Sequence, residues 1–245
     1  MSANRTVFVT VCALALLLLT ACDAFVLAGV RGSGPVLRQE RSVSGIDSVD
    51  LGNQGDLEIE IGDEERLVVE AEESLLPHIE TEVRGGTLRI RTRDARGGLR
   101  NRKPIRYFLT VRSLEALRAS SAGDIRAPAL SADRFEIVAS SAGDVEIARL
   151  EARTLDVEVS SAGDVSIGGG RVDEQAVRLS SAGDYDAPRL VSRTADVRVS
   201  SAGDATVHVT ERLEARLSSA GDVYLYGDPA IQERSSSVGE VIRRD

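Results

Sequence analysis

Aromatic residues are scarce in this chain of 245 residues. They make up 3% of the sequence, and tryptophan is absent. Carbohydrate-binding sites usually present exposed aromatic rings, so the sequence offers few positions for a site of that kind. Hydrophobic residues nevertheless make up 42% of the chain. The core must therefore be built from Val, Ile, Leu and Ala side chains, which suit narrow stacked coils.

Histidine and cysteine are also rare, with two residues of each. His78 and His208 lie in different regions, and neither stands near a serine or cysteine signature. The sequence contains no nucleophile elbow, zinc motif or phosphate-binding loop. A polysaccharide lyase would need a cleft with long loops, clustered acids for calcium and a basic residue, whereas the connections here are short and uniform. We therefore expect a protein without enzymatic activity and without a cofactor.

The chain also lacks an excess of basic residues. Thirty Lys and Arg residues stand against 39 Asp and Glu residues, which gives a formal net charge of −9. Lys103 is the only lysine, so arginine carries nearly all of the positive charge. Nucleic-acid-binding domains usually present a basic surface, and this balance argues against a nucleic acid partner.

A repeated pentapeptide, Ser-Ser-Ala-Gly-Asp, dominates the second half of the chain. The first four steps between successive copies are equal in length, and each of the last two is shorter by two residues. Self-similarity at a short, nearly fixed period is typical of solenoids, in which each repeat forms one coil. Copies begin at Ser120, Ser140, Ser160, Ser180, Ser200 and Ser218, and an altered copy occupies residues 236–240.

Alternating patterns on both sides of each pentapeptide predict two strands per coil. Apolar and polar residues alternate after the aspartate, as in residues 145–147, and again before the serines, as in residues 155–159. The glycine between them marks a corner that needs either a positive φ or a close backbone approach. One coil cannot bury enough apolar surface to fold alone, so stacking must supply the rest. The pattern predicts an all-β fold, a parallel β-helix with coils of about 20 residues; a propeller would need two repeats per blade.

The N-terminal region divides into a leader and a linker. Residues 1–21 carry one charge, Arg5, followed by an apolar run over residues 7–19 and then by Cys22. This pattern resembles a bacterial lipoprotein signal peptide, whose cleavage leaves Cys22 as a lipid-modified N-terminus that anchors the protein to a membrane. The alternative is an ordinary signal peptide or a short membrane anchor, although the run is short for a transmembrane helix. Residues 22–37 are expected to form a flexible tether.

Residues 38–111 carry a blurred form of the repeat and are expected to form a β-rich part ahead of the repeat β-helix of residues 112–245. Acidic residues dominate residues 56–82, and basic residues dominate residues 84–106. A hairpin turn at residues 85–86 would pair these blocks and neutralise much of their charge. The predicted pairs are Val83 with Leu88, Glu82 with Arg89, and Glu80 with Arg91.

Two groups of residues are candidates for ligand binding. Charge pairing across the hairpin accounts least for the loop from Arg91 to Arg106, and a site for acidic lipid head groups or glycans is the alternative. Two tyrosines would face outward on one strand near the C-terminal end, where their other role is to cover the edge of the last coil. The candidate residues are Arg96, Arg100, Arg102 and Lys103 in the loop and Tyr224 and Tyr226 on the strand.

Stacking of the repeats would align their aspartates in one column. Like charges about 5 Å apart repel by on the order of 3 kcal/mol at an effective dielectric constant of 20. Either a bound Ca²⁺ ion or hydrogen bonds from serine hydroxyls and backbone N–H groups must relieve this repulsion. Calcium-binding β-rolls use paired Gly-Gly-x-Gly-x-Asp turns, whereas this chain has one aspartate per coil, so we expect a structural column without a metal. The column comprises Asp124, Asp144, Asp164, Asp184, Asp204 and Asp222.

Three further motifs accompany the Gly-Asp repeats. They are Ser-Gly-Ile-Asp-Ser-Val at residues 44–49, Gly-Thr-Leu-Arg-Ile at residues 86–90 and Tyr-Leu-Tyr-Gly-Asp-Pro at residues 224–229. With these motifs, residues 43–243 resemble the bacterial head GIN domain family of auto-transporter adhesins. The resemblance implies a right-handed parallel β-helix on the cell envelope. Together with the leader it predicts a lipid-anchored adhesin or surface scaffold that contacts an envelope polysaccharide or a protein. The alternative function is a module that binds Ca²⁺ or acidic glycans.

Overall fold

The computed structural model describes residues 29–93, 97–160, 162–180, 182–200, 202–218, 220–236 and 238–245. The predicted signal peptide, the lipidation site Cys22 and the candidate Arg96 lie outside the described residues. Within those ranges, no helix is long and apolar enough to cross a membrane. The secondary structure is β-strand throughout, with a 3₁₀ turn at Leu76–His78.

Short strands form the part of the chain before the repeats, and longer strands form the repeats. The first group comprises β1 (Val30–Arg31), β2 (Val36–Arg41), β3 (Ser48–Gly52), β4 (Asp56–Ile61), β5 (Arg66–Glu72), β6 (Ile79–Arg84), β7 (Thr87–Thr92), β8 (Leu99–Arg100) and β9 (Arg106–Val111). The second group comprises β10 (Ala116–Ala119), β11 (Ile125–Ala139), β12 (Val145–Val159), β13 (Val165–Ile167), β14 (Gly170–Leu179), β15 (Tyr185–Val199), β16 (Ala205–Leu217), β17 (Val223–Tyr226), β18 (Ala230–Ser235) and β19 (Val241–Arg243).

Successive repeats pair in parallel, one coil above the next. Ile125 pairs with Val145 and Ala139 pairs with Val159, so neighbouring coils are offset by one full repeat of the sequence. The same offset joins Val159 to Leu179. Each coil thereby satisfies its backbone hydrogen bonds on the coils before and after it, which a single coil cannot do. The predicted parallel β-helix is confirmed.

The coil becomes shorter between β15 and β16. Tyr185 pairs with Ala205 at the offset of the earlier coils, whereas Thr194 pairs with Arg212 at an offset that is shorter by two residues. The register shifts lie between Asp186 and Thr194. Two residues are thus removed from the segment that follows the corner, and the corners themselves stay aligned.

The inward face of the coils before β18 is largely apolar and buried, and each buried aliphatic side chain contributes about 2 kcal/mol. A polar cluster lies inside the core of the repeats. The Tyr185 hydroxyl donates a hydrogen bond to Gln175 Oε1 (3.1 Å), and Gln175 Nε2 donates to Ser192 Oγ (2.7 Å). Burial raises the pKa of Tyr185 above its ordinary value. The core column beside the corner is at most 1% exposed and comprises Ile125, Val145, Val165, Tyr185, Ala205 and Val223.

The hairpin predicted at residues 85–86 is present as the antiparallel pair β6–β7. Gly85 and Gly86 both have positive φ, at 57° and 78°, as a tight two-residue turn requires. Strand β7 pairs in parallel with β3, and β3 pairs in parallel with β10, so the hairpin continues the stack beyond the first repeat. The observed pairs include the three predicted ones, Val83 with Leu88, Glu82 with Arg89, and Glu80 with Arg91.

The predicted tether of residues 22–37 is wrong over its last part. Strand β1 pairs in parallel with β8, and β2 pairs antiparallel with β5, beginning with Val36 opposite Glu72. A Cβ atom on Gly32 would lie closer than 3.0 Å to the carboxylate of Glu72. Glycine here permits close packing of the backbone against a side chain, which the sequence pattern does not distinguish from flexibility.

An antiparallel layer covers the side of the N-terminal part. Strand β5 pairs with both β2 and β9, and β9 also pairs in parallel with β4. Strand β4 joins the repeats directly, since Leu57 pairs with Ile125 of β11. Strand β8 belongs to a separate two-stranded sheet with β1, whereas the other strands of residues 38–111 and those of the repeats form one continuous sheet.

Candidate functional site

The aspartates of the repeat form a column along one corner of the solenoid. Each carboxylate accepts a hydrogen bond, through Oδ1, from the backbone N–H of the acidic residue one coil later. We term this column the aspartate ladder. The donors, acceptors and N–O distances are Asp144 to Asp124 (3.2 Å), Asp164 to Asp144 (2.9 Å), Asp184 to Asp164 (2.8 Å), Asp204 to Asp184 (2.7 Å), Asp222 to Asp204 (2.7 Å) and Glu240 to Asp222 (3.0 Å).

The aspartate ladder links each coil to the next by a charge-assisted hydrogen bond at the same position. The same residues also connect the coils through their main chain. The Val145 N–H donates to the carbonyl oxygen of Asp164, and the Val165 N–H donates to that of Asp184, both at 2.9 Å. Sliding one coil by a residue would break both kinds of bond, so the corner specifies the stacking register.

The serine hydroxyls of the corner bond to the main chain. Ser180 Oγ donates to the carbonyl oxygen of Val159 at 3.5 Å, and Ser200 Oγ donates to that of Leu179 at 3.2 Å. The sequence suggested serine hydroxyls and backbone N–H groups as donors to the aspartates. For these two serines the hydroxyl instead bonds to the preceding coil, and backbone N–H groups serve the carboxylates.

The corner glycines are required by close approach of the backbones, the second of the two reasons that the sequence allowed. A Cβ atom on Gly143 would lie closer than 3.0 Å to the carbonyl oxygen of Gly123, and the same holds for Gly163 above Gly143. None of these three glycines has a positive φ. Any larger residue would therefore push two coils apart.

A cationic side chain lies beside the first aspartates of the ladder. Arg126 lies 3.5 Å from Asp124 and 3.7 Å from Glu146. A Ca²⁺ site takes six to eight oxygen ligands. The groove beside the aspartate ladder adds Glu146 and Asp186 to the corner aspartates, and each of the corner aspartates already has one oxygen hydrogen-bonded. Within the described ranges, no group of three or more His, Cys, Asp or Glu side chains could hold a metal ion.

A buried carboxylate fixes the main chain of the segment from Arg91 to Arg106, which we term the basic loop. The backbone N–H groups of Arg102 and Lys103 both donate to Glu72 Oε2, at 2.7 and 3.2 Å, and Glu72 is 2% exposed. Gln54 Nε2 donates to Asn101 Oδ1 at 2.6 Å and so ties the loop to the turn that precedes β4. The side chains of Arg102 and Lys103 are exposed, and neither makes an ion pair with a described residue.

Several other arginines of residues 84–106 form ion pairs with acidic side chains on the same or neighbouring strands. Arg91 lies 2.8 Å from Asp50, and Arg93 lies 2.5 Å from Glu80. In both pairs the acid lies two residues from the position directly opposite the arginine, because long side chains reach diagonal neighbours. Arg100 lies in β8, where its backbone is opposite Arg31 of the parallel strand β1.

The two tyrosines lie in the last coils and face outward, half-buried. The guanidinium group of Arg244 lies 4.6 Å from the centre of the Tyr224 ring, and the Tyr226 ring lies 6.5 Å from that of His208. Both rings are therefore already in contact with neighbouring side chains. Since β17 belongs to the last coils and the basic loop to the first strands, the structure does not bring these candidates together.

Four arginines that sequence reasoning missed lie in one column on the outer face of the later coils. Each stands two residues before a corner serine, and this constant offset is the signal that would have revealed them. They line an open groove of about 610 Å³ together with the serines of the same corners. The column comprises Arg178, Arg198, Arg216 and Arg234.

A protein-family model described as "Putative auto-transporter adhesin, head GIN domain" matches residues 46–229. No curated protein matches the chain.

Several solved structures share the fold at about one-fifth sequence identity. A putative adhesin from Bacteroides fragilis is 21% identical, with a TM-score of 0.83, and the match covers 88% of this chain and 100% of that chain. A putative adhesin from Parabacteroides distasonis is 20% identical, with a TM-score of 0.70, covering 88% of this chain and 99% of that one. A putative lipid binding protein from the same species is 21% identical, with a TM-score of 0.69 and the same coverage.

Proposed function

Because the chain belongs to the head GIN domain family of auto-transporter adhesins, we propose that it is a non-enzymatic, lipid-anchored protein of the cell envelope that acts as an adhesin or surface scaffold. The observation that carries this proposal is the regular stack of coils. Its corners are five-residue turns at a near-constant step, and they present the same side chains once per coil along the outside. Such a surface suits repeated contacts with an extended partner.

The proposed anchor is the lipid-modified Cys22 at the end of the leader. The decisive test compares full-length wild-type protein with Cys22→Ser by fractionating bacterial cells. The wild type should sediment with membranes, and Cys22→Ser should lose that association. Cys12→Ser is the matched control, because Cys12 lies within the leader that cleavage would remove, and it should behave as the wild type. Membrane-bound Cys22→Ser would contradict the anchor.

Adhesion itself is tested on cells. A strain that lacks the protein is compared with strains that carry the wild type or Cys22→Ser, on surfaces coated with polysaccharide extracted from the same envelope. The proposal expects retention only with the wild type, since release from the membrane uncouples the solenoid from the cell. Equal retention of the three strains would contradict an adhesive role and leave a scaffold role inside the envelope.

A second candidate function is binding of acidic glycans by the basic loop, through Arg96, Arg100, Arg102 and Lys103. It is favoured by the exposed side chains of Arg102 and Lys103, which make no ion pair with a described residue and lie on a main chain that Glu72 holds. The double variant Arg102→Ser/Lys103→Ser should lose binding to an acidic glycan. Arg134→Ser/Arg171→Ser removes the same charge from exposed positions in the repeats and should retain it.

A further inference from the structure

The four arginines of the outer column stack in register. Arg178 of β14 pairs with Arg198 of β15, which pairs with Arg216 of β16, which pairs with Arg234 of β18. We term this column the arginine ladder. Its rungs follow the strand spacing of about 4.8 Å, so it extends about 14 Å along the solenoid. Glu158 occupies the next position toward the N-terminus and ends the run of positive charge.

Like charges that face each other across strands destabilise a sheet. At several other positions of this solenoid, opposite charges lie together on neighbouring coils. Arg153 lies 2.9 Å from Asp133, whose pKa it lowers through a hydrogen bond, and Arg118 lies 2.8 Å from Glu136. The arginine ladder departs from that arrangement over four consecutive levels.

The two middle arginines of the ladder are neutralised by the adjacent column. Arg198 lies 2.7 Å from Asp196, and Arg216 lies 3.2 Å from Asp196 and forms an ion pair with Glu214. These acids stand two residues before the arginines on the same strands. The guanidinium group has five N–H donors, so each middle arginine keeps donors for a ligand.

The two outer arginines have no acid two residues before them in the adjacent column. At the level of Arg178 the adjacent column holds Ala176, and at the level of Arg234 it holds Gln232. Both arginines are exposed, and neither makes an ion pair with any residue that the structure describes. Glu158 faces Arg178 from the preceding coil without forming an ion pair with it, and neither end of the ladder has an acid at its own level of the adjacent column. The guanidinium groups of both end arginines are therefore not held by an ion pair with a described residue.

The groove beside the ladder adds hydrogen-bond acceptors. It is lined by Ser180, Ser200, Ser218 and Ser236, one per level. The hydroxyl protons of Ser180 and Ser200 are directed to carbonyl oxygens of the preceding coils, so their oxygens are left to accept hydrogen bonds. A ligand in this groove would thus meet cationic donors on one side and neutral acceptors on the other, with Glu158 at the N-terminal end of the groove.

We propose that this groove binds a single acidic polysaccharide chain along the solenoid axis, with the anionic groups of the sugars on the arginine ladder and their hydroxyl groups on the serines. The inference rests on the proposed function, because it requires a solenoid exposed at the envelope. The positive strip is one residue wide and is flanked by acids such as Asp196 and Glu214. A membrane surface or duplex nucleic acid needs a broad basic face, which this strip and the net charge of −9 do not provide.

The test measures binding of the full-length protein, purified in detergent, to a sensor coated with polygalacturonate, with neutral dextran as the reference polymer. The wild type should bind polygalacturonate and not dextran. Arg178→Ser/Arg234→Ser should weaken binding by about tenfold or more, since each lost bond involves two charged groups. Arg134→Ser/Arg171→Ser removes the same charge elsewhere and should bind within about twofold of the wild type. Equal melting temperatures of both variants show that the fold is intact.

Several results would overturn the inference. They are wild-type binding to dextran, equal loss in both double variants, or no loss in the ladder variant. Loss only in Arg102→Ser/Lys103→Ser would assign the polysaccharide to the basic loop. Binding of anionic phosphatidylglycerol vesicles in place of polygalacturonate, through the same arginines, would assign the ladder to lipid. The proposed function fails separately, if Cys22→Ser stays on membranes or if cells without the protein adhere equally.

Discussion

Each corner of the solenoid brings two main chains together at a glycine. The carbonyl oxygen of Gly123 occupies the space that a side chain on Gly143 would need. Because the obstacle is backbone on both sides, the strain cannot be relieved by a rotamer change. The repeated glycine is therefore a packing requirement.

Gly143→Ala should lower the free energy of unfolding by about 2 to 3 kcal/mol, because the added methyl group separates two coils. Gly169→Ala is the matched control. Its Cβ atom would meet its nearest neighbour at 3.4 Å, and its φ is not positive, so we expect little change. Urea denaturation followed by circular dichroism measures both. Equal stability of the two variants would contradict the close-approach explanation.

Asp164→Asn and Asp164→Ala separate the two roles of a ladder aspartate. The Asn side chain keeps an oxygen for the Asp184 N–H, which now donates to Asp164 at 2.8 Å, and removes one charge from the column. We expect Asn to remain within about 0.5 kcal/mol of the wild type and Ala to cost about 1 kcal/mol. Denaturant titrations at low and high salt test this. If Asn proves as costly as Ala, the charge itself is required.

At the scale of elements, Glu72 joins the end of β5 to the basic loop. A buried carboxylate that accepts two backbone N–H bonds is costly to remove, because both donors lose their partner. The loop thereby acquires a fixed main chain while its cationic side chains remain exposed. An adjacent acid, Glu73, is exposed and provides a comparison at the same strand end.

Glu72→Ala should therefore destabilise the protein by about 2 to 3 kcal/mol and release the loop. Hydrogen exchange at the amides of Arg102 and Lys103 should become faster, while the amides of β12 keep their protection. Glu73→Ala should leave both properties near those of the wild type. Unchanged exchange at the two loop amides in Glu72→Ala would show that other contacts hold the loop.

The elements that could be predicted are those with a periodic sequence signal. The alternation around each corner predicted the repeat strands, and the Gly85-Gly86 turn predicted the hairpin register. Strands β1 and β8 could not be predicted, because each has two residues and their pairing depends on backbone contacts. The antiparallel partners of β5 were missed for a related reason, since no short-range pattern encodes contacts over such sequence separations.

At the scale of the whole molecule, the aspartate ladder bears on metal dependence. Six coil boundaries are joined by a carboxylate that already accepts a backbone N–H. Calcium should therefore not shift the melting temperature of the full-length protein, and a chelator should not lower it. Differential scanning calorimetry with added Ca²⁺ and then with chelator is the measurement. A calcium-dependent rise would show that cations bridge the column.

The columns on the outer surface show where prediction from the sequence ended. The aspartate column was predictable because its residue lies inside the repeated motif. The arginine ladder begins only at Arg178, and the same column holds Glu158 and Val138 in earlier coils. A column that changes chemistry along the stack becomes evident only when the pairing is known residue by residue.

The constant offset between the earlier coils has an evolutionary consequence. Corners with identical sequence are interchangeable, so unequal recombination within the gene can insert or delete one whole repeat without altering either end of the stack. Each such event would change the rod by about 4.8 Å and add or remove one level of every surface column. The length of the solenoid and the length of its ligand-binding groove would thereby change in fixed increments of one coil.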